Sequence, residues 1–234
     1  MPDLLKDLAY GLDPVAFAQD RLCFLCDGWQ ERVLRSNAQQ IILNVSRQAG
    51  KSTTVAILAL HTALYIPGSL SLLVSPSQRQ SRELFQKVME FLRALEPVEQ
   101  LDEDNRLSAT LRNRSRIVSL PGDPKTVRGY SGPTLVIEDE AAYVTDDMVQ
   151  ALRPMLAVSR GRLILMSTPS GRRGHFCDVW NGRTSDWEKI FITAKDCPRI
   201  SQGFLDQELI TLGPVLFSQE YEGEFVDSQS AAFQ

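Results

Sequence analysis

Residues Ile41-Ile42-Leu43-Asn44-Val45-Ser46-Arg47-Gln48-Ala49-Gly50-Lys51-Ser52 decide how the rest of the chain is read. The first five form a short, bounded, apolar run, the composition of a strand buried on both faces. Val45 to Ser52 then fits G-x-x-x-x-G-K-[ST], except that Val45 stands where the pattern has its first glycine. A helix is expected from Lys51 to about Tyr65, stopped by Pro67-Gly68. A loop between a buried strand and a helix start can cradle phosphates with its amides and the helix N-terminus. Gly50 lets the backbone approach them closely. In such a loop Lys51 bridges the β- and γ-phosphates of ATP and Ser52 holds Mg²⁺. Ser46, Arg47, Gln48, Ala49 and Thr53 complete the expected nucleotide-binding set.

Downstream, Thr134-Leu135-Val136-Ile137 reads as another buried strand, running into Glu138-Asp139-Glu140. Asp139 is expected to bind Mg²⁺ and Glu140 to polarise the attacking water as general base. Strand alternation sends Glu138 to the face opposite Asp139. Ser167-Thr168-Pro169 directly follows the expected strand Leu163 to Met166. Its hydroxyls suit either a γ-phosphate sensor or a plain turn. Arg128 lies on a glycine-flanked loop and reads as a surface charge or as a cation for a transferring phosphate. Arg47 acts only in cis, so Arg128 is the residue expected to act on a neighbouring subunit's ATP. Gln30 reads on spacing alone as an exposed helical glutamine, although its amide matches the N6 and N7 edge of adenine.

Around these stretches, apolar strands alternate with helices, which implies an α/β fold with a mainly parallel central sheet flanked by helices in three layers. Residues 1–35 are expected to be an N-terminal helical segment packed on a domain spanning 36–227, with 228–234 the start of a linker or a frayed tail. Ser77 is expected to cap a helix reaching about Leu95. Glu96 to Asp104 reads as an acidic loop, and Ser108 to Leu120, broken at Asn113, as a β-hairpin or two short strands. Gly122 to Pro133 and the stretch holding Gly171 and Gly174 read as loops. Trp187 to Thr193 reads as an outer strand, followed by helices near Phe204–Leu212 and Val215–Tyr221.

The net charge of −4 argues against a surface that coats nucleic acid everywhere, while leaving room for a local basic patch. No apolar run approaches the ~20 residues of a membrane span. No signal peptide is visible at the N-terminus, so the expected setting is cytoplasmic. Cys23 and Cys26 form a C-x-x-C, but Cys177 and Cys197 are distant and only His175 lies near Cys177. Zinc needs a closer second pair, so all four are expected to be buried reduced thiols, the first two within a helical stretch.

Taken in order, Trp29-Gln30, Ser46 to Ser52, Ser75-Pro76-Ser77, Val127-Arg128-Gly129, Glu138 to Ala142 and Ser167-Thr168-Pro169 resemble the ATPase domain of the large terminase subunit of tailed bacteriophages. Phe217 to Asp227 is similar to the segment that closes that domain. The resemblance implies a P-loop NTPase fold of the RecA/ASCE-like type. It implies ATP hydrolysis that drives double-stranded viral DNA into a procapsid, in the host cytoplasm. It implies a portal protein, a small terminase subunit and self-association into a ring as partners, and no membrane. Gln30 is implied to contact adenine, Arg47 to be a characteristic loop arginine, and Ser167 and Thr168 to couple hydrolysis to movement. The resemblance implies that members usually carry a C-terminal nuclease domain of the ribonuclease H type, which is expected to lie outside these 234 residues, so no nuclease activity is expected of them. The alternatives are an ATPase lobe of another translocase or helicase, and a degenerate NTPase fold used for assembly. The second is disfavoured because Lys51, Asp139 and Glu140 all remain.

Overall fold

The computed structural model of the chain describes residues 4–95, 101–182 and 186–226. Among these, the strands β1 (Gln40–Val45), β2 (Leu70–Ser75), β3 (Leu101–Asp104), β4 (Ser108–Leu111), β5 (Arg116–Pro121), β6 (Leu135–Asp139), β7 (Arg162–Ser167) and β8 (Glu188–Ile192) form one sheet. Their order is β3-β4-β5-β2-β6-β7-β1-β8. From β5 to β8 every pair is parallel, and β3 and β4 add an antiparallel edge.

Alternation along the central strands feeds two cores. Ile41, Leu43 and Val45 of β1 pack with the helices α2 (Pro14–Leu22), α3 (Gly28–Arg35), α4 (Lys51–Tyr65) and α5 (Gln78–Ala94). Ile42 points the other way, toward α6 (Pro124–Val127), α7 (Asp146–Ser159) and α8 (Gly174–Asn181). The helix α4 is buried on nearly every side, as its Ala- and Leu-rich sequence requires. On α5 only the stripe Ser81, Leu84, Phe85, Val88, Met89 and Leu92 is buried, and Ser77 caps its N-terminus by accepting from the Gln80 N–H. The N-terminal helices α2 and α3 contribute Phe17, Trp29 and Val33 to the first core, and α1 (Leu4–Leu12) precedes them. A third, small core joins Leu205, Phe217 and Tyr221 of α9 (Gln202–Glu222) to Ala194.

Several expectations change. Leu101–Asp104 is not loop but the edge strand β3; residues 96–100 lie outside the described residues, as does the tail 228–234. The Gly122–Pro133 loop contains the short helix α6, with Asp123 capping it. The Gly171–Gly174 loop leads into a helix, α8. Cys23 and Cys26 are not in a helix. Cys23 ends α2 in the left-handed region (φ 52°), which turns its thiol to solvent, whereas Cys177 and Cys197 are buried. No helix among the described residues is long and apolar enough to cross a membrane.

Candidate nucleotide site

Strands β6, β7 and β1 are neighbours, and their carboxyl ends are level. Asn44 of β1 pairs with Ser167, and Asp139 of β6 with Met166. Three of the sequence stretches singled out above therefore meet at one edge of the sheet, where parallel sheets bind their ligands.

The loop after β1 is held from both sides. Gln48 and Gly50 adopt positive φ (62° and 97°), which turns the chain tightly into α4. Arg199 clasps Asp27 with two guanidinium bonds (2.9 and 2.7 Å) and donates a third to the Ala49 carbonyl (3.0 Å). The Arg47 N–H donates to the Glu220 carbonyl (3.1 Å), and its guanidinium pairs with the Glu220 carboxylate at 2.5 Å. Asp27 also forms a capping box with Gln30, whose Oε1 accepts from the Asp27 N–H (2.8 Å).

That box corrects the reading of Gln30 as exposed. It is fully buried, its Nε2 has no hydrogen-bond partner, and a side chain at Gly50 would stand 3.1 Å from that nitrogen. The physical reason is the short α3, which packs its Trp29–Gln30 face against the loop.

In front of the loop lies a cavity of about 550 Å³ lined by Arg47, Gln48, Gly50, Lys51, Ser52, Thr53, Lys87 and Glu140. Lys51 is buried, and its Nζ meets Glu140 Oε1 at 3.1 Å. Ser167 Oγ donates to Glu140 Oε2 (3.3 Å), and Thr168 beside it is buried. Glu140 is itself in the left-handed region (φ 53°). Asp139 is buried and accepts from the Glu140 N–H (3.0 Å). Burial first, then the Glu140 charge, pushes its carboxyl up to about 6, with Lys51 and Lys87 opposing. Glu138 points into the second core, where burial alone lifts it to about 8. Arg128 sits exposed at the end of α6 and does not line the cavity.

Lys87, Arg199 and Glu220 were not foreseen. Their signals are spatial: each lies far from the loop in sequence. The Asp27–Gln30 box alone was readable, as Asp-x-x-Gln at a helix start.

A family model described as the N-terminal part of the T4likevirus-type terminase large subunit matches residues 42–234. The chain belongs to this family of terminase large subunits. Curated large terminase subunits of Thermus phage G20c and Thermus virus P23-45 are each 27% identical to it over 240 residues, covering 87% of the chain. The chain spans about half the length of these relatives, 49% in each case. In fold, this terminase chain resembles the large terminase ATPase domain of Thermus phage P74-26 with a TM-score of 0.81, at 23% identity, covering 92% of the chain and 100% of that domain. It also resembles the large terminase of a thermophilic bacteriophage in complex with ADP, with a TM-score of 0.67 at 13% identity, covering 86% of the chain and 54% of that protein.

Proposed function

We propose that the chain is the ATP-hydrolysing motor domain of a phage large terminase, driving double-stranded DNA into a procapsid. The observation that carries this reading is the cavity itself. A glycine-turned loop at a helix N-terminus, a buried lysine and the carboxylate of Glu140 converge there, with the buried Asp139 next to Glu140, in a chain of this family. The relatives solved with ADP and with ATP-γ-S support a nucleotide ligand.

Lys51 holds Glu140 in this structure. On nucleotide binding it exchanges that carboxylate for phosphate oxygens, leaving Glu140 Oε1 to accept from the attacking water. Ser167 orients the other carboxylate oxygen and so links the base to the end of β7, with Thr168 next to it. The loop amides from Ser46 to Thr53 bind the phosphates. Ser52 and Asp139 offer the hard oxygen ligands that Mg²⁺ takes alongside phosphates and water. The fit is good: the Asp139 carboxylate is buried beside a second carboxylate, a charge that a cation relieves. When bound, Mg²⁺ supplies neutralisation of the phosphate charge.

Gln30 Nε2, an unsatisfied donor behind Gly50, is the group offered to an acceptor of adenine. Arg128, exposed and away from the cavity of its own chain, acts on ATP bound by the next subunit of a ring. The portal, the small terminase subunit and the host cytoplasm follow from the same reading, with residues 36–227 as the motor and 1–35 packed on it.

Phosphate release from ATP tests the proposal. Lys51→Ala is expected to lose it entirely while keeping the thermal midpoint of the wild type. Turnover within a few-fold of wild type would reject the site.

A further inference from the structure

Lys87 lies on α5, beside the apolar stripe that packs on the sheet, and is half-buried. From there it reaches across to α4 and donates from Nζ to Thr53 Oγ1 at 3.3 Å. This places an ammonium group on the wall of the cavity in front of the glycine loop. The other two cations of that wall are engaged: Arg47 with Glu220 and Lys51 with Glu140. Lys87 has no carboxylate at ion-pair distance among the described residues, and a hydroxyl satisfies only one of its three donors. A lysine is a compact point charge on a flexible stem. Tethered by a neutral hydroxyl, it can meet an incoming anion without first breaking an ion pair.

We infer that Lys87 is a second lysine of the nucleotide site, held by Thr53 so that its ammonium binds the phosphate chain of the bound nucleotide directly. This rests on the nucleotide-site reading above. It also makes α5 part of the site, although no residue of that helix belongs to the phosphate loop. The competing role is structural, with Lys87 simply tying α5 to α4.

Titrations of the purified chain with ATP-γ-S and Mg²⁺ separate the two. Loss of a charge-assisted hydrogen bond corresponds to roughly a tenfold to hundredfold loss of affinity, and Lys87→Gln is expected to fall in that range. Lys87→Met, which keeps the apolar stem, is expected to match it, and Lys87→Arg to regain most of the binding. With one cation fewer at the ligand, both neutral variants are expected to show a shallower dependence of affinity on KCl concentration than wild type. A tether alone would shift the melting temperature and leave the KCl dependence unchanged. Lys51→Ala is run in parallel. If it loses binding while Lys87→Gln and Lys87→Met bind as wild type does, the inference is overturned and the site stands. If Lys51→Ala also binds as wild type, the nucleotide-site reading falls, and the inference with it.

Discussion

Glu138 and Asp139 are adjacent on β6 and live in opposite worlds. Asp139 lies where the charges of Glu140, Lys51 and Lys87 act on it, while Glu138 pairs with Val74 and Leu165 of the neighbouring strands, within the second core. No charge compensates Glu138, so its pKa stands near 8. A carboxyl raised in the folded state favours folding fully below the ordinary glutamate range, and that contribution is lost as pH rises through about 8. In EDTA, the wild-type melting temperature is therefore expected to fall from pH 5 toward pH 9 more steeply than that of Glu138→Gln, which has nothing to ionise there. Parallel profiles would show that Glu138 is solvated. The opposed faces of these two acids were legible in the sequence, because strand alternation is rigid. The burial of Gln30 was not. It depends on where α3 docks against a loop twenty residues later, and no local pattern encodes that.

At the scale of elements, the closing segment of α9 fixes the end of β1. Gly223 ends the helix at φ 71°, and its carbonyl accepts from Asn44 Nδ2 at 2.8 Å, beside the phosphate loop. An added Cβ there would lie 2.5 Å from the Phe191 ring and 3.1 Å from Asn44 Oδ1. Gly223→Ala is expected to cost about 1–2 kcal/mol from the left-handed backbone alone, and more where the ring cannot give way. Urea unfolding measures this, and an unchanged midpoint would contradict it. The break in α9 at Gly213-Pro214 was readable as two helices, since glycine and proline mark it directly. The helix α8 was not, because its N-terminus has no side-chain cap and glycines flank it. The strand β3 was hidden by its acids, which read as loop and serve as a sheet edge.

On the whole molecule, the sheet order brings β1, β6 and β7 together, and so assembles Lys51, Asp139, Glu140 and Ser167 from three separate stretches of the chain. That convergence was legible, because strand–loop–helix units of this type place such loops at one sheet edge. Arg128 stays outside the cavity, and this supports its proposed action between subunits. Arg128→Ala and Glu140→Gln subunits are each expected to be inactive when assembled alone. Mixed, they are expected to recover turnover, since a Glu140-intact site receives Arg128 from its neighbour. A mixture that stays inactive where wild-type rings form would assign that charge to Arg47 instead. The central claim, that this cavity hydrolyses ATP with Glu140 as its base, is tested most directly by phosphate release and ATP-γ-S affinity measured side by side on Glu140→Gln. Affinity close to wild type with no detectable phosphate release is the predicted result, and phosphate release at the wild-type rate would contradict it.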